Sequence, residues 1–241
     1  MVRATTKNTT EGECRFRWRS PNVSRIENLA DIIFALALAL IGTMDLPRSA
    51  AELAGMWRSL LATGLCFGTV FVIWNAHYTF FRRYDLMDGW TVFLNSVLLF
   101  VVFGFAYPLK FLMDFLVEFF TLGFDSAESI QEVMTFAQAR WVLILYSVGY
   151  AMVFGVFAAL YRHALNDADR MELTPTERVL TRASTEGALV HVCAAVLVIT
   201  SALLLPPFGV PLAGALYFLI WPALQWIDRR QARTLAHLGE P

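Results

Sequence analysis

The stretch RIENLADIIFALALALIGTMDLP, Arg25 to Pro47, is almost wholly apolar after its first few residues, yet Asp31 sits one turn inside the run. A carboxylate left in lipid costs about 2.5–3.5 kcal/mol on insertion scales, so Asp31 requires a partner, a water-filled space or the interface. The 18 residues from Leu29 to Leu46 rise roughly 27 Å as a helix, enough to cross a hydrocarbon core. The stretch reads as a membrane helix with one charge built into it.

The whole chain agrees with this reading. Of its 241 residues 57% are hydrophobic, 14% aromatic and only 16% charged, which is too apolar for an ordinary soluble domain. The net charge of −1 leaves no basic surplus to neutralise phosphates, so no nucleic-acid partner is expected. Cys14, Cys66 and Cys193 form no close-spaced pair, and neither a disulfide framework nor a zinc site is suggested. Residues 1–24 are polar and basic and read as a cytoplasmic N-terminal tail. They lack the pattern of a removed signal peptide, and the first apolar segment is expected to stay.

Six segments are apolar enough to cross a bilayer as helices, at approximately 28–46, 53–80, 90–113, 136–162, 179–205 and 209–227. The expected fold is an all-α polytopic membrane protein, with a six-helix transmembrane domain over 25–228 and a cytoplasmic C-terminal tail over 229–241. Pro108 and Pro222 fall inside the third and sixth segments and predict kinks there. Pro206, Pro207, Gly209 and Pro211 read as a tight hairpin between the fifth and sixth.

Basic residues orient the bundle. The N-terminal tail and the start of the first segment, the second–third loop, the fourth–fifth loop and the C-terminal tail together carry fifteen of them, against four elsewhere. Both termini are therefore expected in the cytoplasm of a multi-pass cell-membrane protein. The third–fourth loop, with Asp114, Glu118, Asp125, Glu128 and Glu132, then faces outward as a solvated acidic surface; the sharper alternative is a mouth that concentrates cations.

On a helical wheel Leu29, Ile32, Leu36, Leu40 and Thr43 share one face of the first segment, with Ala39 at its edge and Arg25 below. Asp31 points roughly 140° away from Leu36, so the two do not face one cavity. Arg25 is six residues from Asp31, which is wrong for a same-face pair. Partners must come from another segment. Trp74, Asn75, His77, Arg82 and Arg83 end the second segment, and Trp90 and Asn95 open the third, all near the depth of Asp31. Asn95 suits a hydrogen bond across helices. Trp74, Trp90, Arg82 and Arg83 equally suit an interfacial aromatic belt with snorkelling arginines.

Enzymatic chemistry finds no support. The four histidines, His77, His163, His191 and His237, include no helical metal pair, and no nucleophile motif, phosphate loop or paired carboxylates appear. His191, in the run ALVHVCAAV, reads as a hydrogen-bonded packing residue.

The segment Arg25-Ile-Glu-Asn-Leu-Ala-Asp31 followed by IIFALALAL resembles the R-x-x-x-F-S-D signature that opens helix one of the transmembrane protein 175 family of potassium channels. IWNAHYTFFRR, Ile73 to Arg83, then Trp90 to Asn95 and the apolar run to Pro108, are similar to the family's W-x-x-H…F-R and W-x-x-L-N…P elements. The motif resemblance spans about residues 25–110. It implies a homotetramer around helix one, as in members with one six-helix unit. It also implies a pore narrowed at Leu36, five residues after the signature aspartate, and a network of Arg25, Asp31, Trp74, Asn75, His77 and Asn95 that holds helix one in place. Asp31 is then an anchor of helix one against its neighbours, not an ion ligand. Leu29 and Ala30 stand where the signature has Phe and Ser, removing one hydroxyl from that network. Ala39 stands where bacterial members can have Thr, implying weaker preference for potassium over sodium.

The function expected is a potassium-preferring cation channel that conducts passively through rings of Leu36, Ala39, Leu40 and Thr43, without a carbonyl filter. Its partners are a bilayer, monovalent cations and further copies of itself; no metal site or cofactor is expected beyond the permeant potassium ion. The alternative is a proton-coupled secondary transporter with Asp31 and His77 as titrating groups.

Overall fold

The computed structural model describes residues 16–20, 22–43, 49–50, 56–122, 135–206 and 209–238. Among these residues every regular element is helical: α1 (Arg25–Ile41), α2 (Trp57–Tyr84), α3 (Gly89–Leu122), α4 (Phe136–Asn166), α5 (Pro175–Leu204), α6 (Val210–Ala215) and α7 (Ile220–His237). A 3-10 turn, Leu216–Leu219, joins the last two.

Three of the helices begin with reciprocal capping boxes. Ser24 and Glu27 start α1, Thr135 and Gln138 start α4, and Thr174 and Glu177 start α5 with Pro175 at its first position. Each box satisfies two backbone donors that a helix leaves open.

Among the described residues five helical runs are long and apolar enough to cross a membrane: α2, most of α3, α4, α5 and the run from Val210 to His237. The first segment appears as α1, whose 17 residues make it shorter than those five. Several expected boundaries shift. The second span runs to Tyr84 instead of 80, and the third continues to Leu122, which puts Asp114 on a helix, bonded to Lys110 at 2.5 Å, and not in the acidic loop. Asp125, Glu128 and Glu132 lie outside the described residues.

The sixth span is not one helix. Pro222 sits in the first turn of α7, where it has no N–H for the carbonyl of Phe218 and its ring crowds that carbonyl. The chain tightens there into the 3-10 turn. The C-terminal residues 229–237, expected as a tail, continue α7.

The helices run up and down. Late residues of α2 meet early ones of α1 and α3, the end of α4 meets the start of α3 through His163 and Asp88, and Arg140 at the start of α4 donates to Leu205 after α5. Packing passes in order: α1 and α2 against each other and α3, α3 against α4, α4 against α5, α5 against α7. The core gathers Phe34, Phe80, Phe81, Leu98, Phe157 and Leu160.

Residues 16–20 are not a loose tail. Phe16 is buried and meets Tyr84 edge to face. The Arg19 guanidinium donates to both oxygens of Glu177, at 3.1 and 2.7 Å, and to the carbonyls of Met171 and Arg83. Glu177 is 2% exposed, and its carboxylate also accepts from the backbone N–H groups of Arg17 and Thr174. A buried carboxylate so fully paired carries its desolvation cost. It straps the entry to α1 onto the first turn of α5.

Candidate functional site

The buried stripe of α1 consists of Glu27, Ala30, Phe34, Ala37 and Ile41, spaced by three and four residues as one helix face. The line opposite that stripe passes through Arg25, Asn28, Ile32, Ala39 and Thr43, all exposed, with Leu36 about 40° to one side. Leu29, Ile32 and Leu36 are 53%, 63% and 44% exposed. No other described element of the chain covers this face.

The observed face is turned slightly from the one expected. Leu40 is half-buried and packs against the core, while Ile32 and Ala39 move to the centre and Ala35 joins them as an exposed position. The Thr43 hydroxyl donates back to the Leu40 carbonyl at 2.7 Å. The signal that would have set the phase is the small and aromatic stripe Ala30, Phe34, Ala37, which lets α1 approach α2 and α3 closely.

Asp31 lies on the far flank of that face, exposed within the single chain. Its carboxylate accepts from the indole nitrogen of Trp74 at 2.7 Å. The Trp74 ring is itself held, stacked on Tyr78 and tilted against Phe71. This bond ties α1 to α2 near the basic end of the bundle.

His77 pairs with Asn95 of α3. It is 2% exposed, and its Nε2 lies 2.8 Å from Oδ1 of Asn95. A carboxamide oxygen only accepts, so Nε2 carries the ring proton. The ring packs edge-on against Phe34 and lies 4.7 Å from Phe81. His77 therefore joins α2 to α3 and meets α1 at Phe34. The two groups needed for a proton-coupled carrier, Asp31 and His77, are bonded to separate partners. Arg25 and Asn75 are exposed and make no side-chain hydrogen bond or ion pair among the described residues, so within one chain the network reduces to two bonds.

His191 accepts or donates at 2.5 Å with the Tyr150 hydroxyl and stacks on Phe154 at 3.9 Å. It serves helix packing between α4 and α5. At the basic end, Asp88 accepts from the Thr91 hydroxyl and the Trp90 N–H and lies 3.1 Å from His163. Burial works to raise its carboxyl, but the hydrogen bonds from Thr91 and His163 outweigh it and hold the group down to about 2.

These features define a multi-pass helical membrane protein whose first helix is anchored on one side and open on the other. The chain belongs to the TMEM175 family: the family model described as the endosomal/lysosomal potassium channel TMEM175 matches residues 25–105. A protein named as a potassium channel from Marivirga tractuosa is 31% identical over 219 residues, 87% of each chain. The crystal structure of a variant of the potassium channel MtTMEM175, bound to a nanobody fusion, matches with a TM-score of 0.76 at 28% identity, over 90% of this chain and 97% of that one. A lysosomal potassium-selective TMEM175 homologue from Chamaesiphon minutus shares the fold, with a TM-score of 0.52 at 21% identity over 86% and 96% of the two chains.

Proposed function

We propose that this protein is a potassium-preferring cation channel, conducting passively along an axis lined by α1 of four identical subunits. One observation carries the reading: α1 keeps a full-length face through Ile32, Leu36 and Ala39 that its own chain leaves uncovered. Lipid would accept those three residues, but Arg25, Asn28 and Thr43 on the same line suit a water-filled axis better. Kinship with named potassium channels supplies the ion.

In this reading Leu36 forms the narrowest ring, with Ile32 on the cytoplasmic side, Ala39 and Thr43 on the outer side, and Leu40 at the margin of the lining, packed against the core. Four leucines offer an ion no oxygen, so it sheds water or waits for the ring to widen. The Asp31–Trp74 bond holds α1 against α2 and the His77–Asn95 bond ties α2 to α3, with Asn75 beside them and Arg25 at the boundary between subunits. Six crossings put both termini in the cytoplasm of a cell membrane. The reaction needs no cofactor and no turnover.

Native mass spectrometry in detergent and currents in liposomes test this together. A mass of four chains is expected, with a reversal potential that follows the potassium gradient and does not move with pH. A stable monomer leaves no enclosed pore and defeats the reading, and a reversal potential shifted by pH at fixed potassium makes the protein a coupled carrier.

A further inference from the structure

We infer that the groove between α5 and α7 is a binding site for an anionic phospholipid, with its phosphate on the arginines of α7 and an acyl chain along α5. The groove has a volume of about 540 Å³, within the roughly 300–1,000 Å³ of small-molecule sites, and so has room for part of one acyl chain. It opens where the 3-10 turn interrupts the sixth span, with Leu216 and Leu219 on one wall and Val190, Ala194 and Leu197 on the other. From Glu186 to Leu197 the α5 wall is roughly 16 Å long, and every lining residue past Glu186 on that wall is apolar or Cys193.

The two ends of the groove differ in charge. At its mouth Arg230 lies 3.7 Å from Glu186 and over the ring of Trp226. Trp226, Arg229, Arg230 and Arg233 share one face of α7, and Arg182 stands one turn before Glu186 on α5. Arg230 and Glu186 line this end of the groove, and Arg182, Arg229 and Arg233 stand nearby in sequence against the single further carboxylate Asp228. Trp226 marks headgroup depth, as tryptophans do at the membrane boundary. An apolar trough ending in a basic rim at that depth matches a lipid with a negative headgroup and not a zwitterionic one.

Position in the bundle selects lipid over protein as the occupant. Packing passes from α1 through α3 and α4 to α5 and α7, so the groove lies at the end of the chain of contacts farthest from the face assigned to the axis. That side of the assembly meets the bilayer, and hydrocarbon fills what the helices leave open. The mouth is at the end of the bundle shared by the N-terminal strap and α7, which the proposed orientation makes the cytoplasmic leaflet.

The test uses the full chain in detergent, delipidated and offered phosphatidylglycerol or phosphatidylcholine, with bound lipid counted by native mass spectrometry. Retention of phosphatidylglycerol in preference to phosphatidylcholine is expected. Removing Arg230 and Arg233 together (R230A/R233A) is expected to weaken retention by about tenfold, and Ala223→Trp, which fills the trough without touching the charge, to weaken it as well. Arg230→Lys, which keeps the charge, should retain the lipid. Equal retention of the two lipids, or retention indifferent to both the charge and the filling variants, overturns the site. Leu36→Ala should bind phosphatidylglycerol normally, so failure of the lipid site and failure of the channel reading are separable.

Discussion

Leu36 and Leu38 stand two positions apart on α1 and answer to different neighbours. Leu36 is 44% exposed on the uncovered face, and Leu38 is half-buried against the core. Shortening Leu36 removes bulk from the proposed ring without opening a cavity inside the subunit. Leu36→Ala is expected to raise potassium flux in liposomes by about tenfold, equivalent to roughly 1.4 kcal/mol off a barrier, and to reduce discrimination against sodium. Leu38→Ala is expected to leave permeation near normal and cost about 2 kcal/mol of stability in thermal melts. Equal effects on conductance would remove Leu36 as the constriction. Part of this was legible from the sequence, because a 3.6-residue period places Leu36 away from Asp31 whatever surrounds them. The partners of Asp31 and His77 were less so. Depth alone brought Trp74, His77 and Asn95 into one neighbourhood, but which of them bonds which depends on the rotation of α2, and that is set by Phe34, Phe80 and Phe81 packing together.

At the scale of elements, the joints between helices hold the bundle, and two of them are open to direct test. Gly149 on α4 sits against the ring of Phe105 on α3, and a Cβ added there would run into that ring. The ring is also held by Tyr146, at 5.3 Å between centroids, so it has little freedom to retreat. Gly149→Ala is expected to lower the melting temperature of the detergent-solubilised protein, at a cost of about 1–3 kcal/mol; an unchanged melt would mean the two helices separate freely. The second joint is Asp88, which caps α3 and faces His163 at the end of α4. Its folded carboxyl lies at about 2, below its ordinary 3.8, so its contribution is complete above pH ~4 and is lost as pH falls through about 2. Acid melts of the native chain and of Asp88→Asn should differ above pH 4 and converge by pH 2; parallel curves would sink the cap. Other helix ends carried a trace in the sequence. The capping boxes Ser24-x-x-Glu27, Thr135-x-x-Gln138 and Thr174-x-x-Glu177 are readable as local patterns, and so is Pro222 as a breaker. Hydropathy averages over local signals, which is why the sixth span, though its break at Pro222 was expected, ended too early. The strap was not readable at all, because Arg19 and Glu177 are 158 residues apart and nothing local pairs them.

For the molecule as a whole, charge asymmetry and the up-and-down packing converge on one orientation. Arg19, Arg82, Arg83, Arg178, Arg182 and Arg230 all stand at the end where α1 and α5 begin and α2 and α7 finish. Arg58, Lys110 and Arg140 stand at the other. Inverting the protein would require many guanidiniums to be carried across the hydrocarbon, each at roughly 2.5–3.5 kcal/mol by insertion scales, and the proposed orientation, with the basic end on the side of synthesis, avoids that cost. Cysteine labelling checks this in a chain freed of Cys14, Cys66 and Cys193. Asp125→Cys should react with a membrane-impermeant maleimide on intact cells, and Arg233→Cys only after the membrane is opened. The reverse pattern would turn the bundle over. It would also move the groove between α5 and α7 to the outer leaflet and place Arg25 at the outer mouth of the axis, so this one measurement fixes which side of the membrane each of the two sites faces.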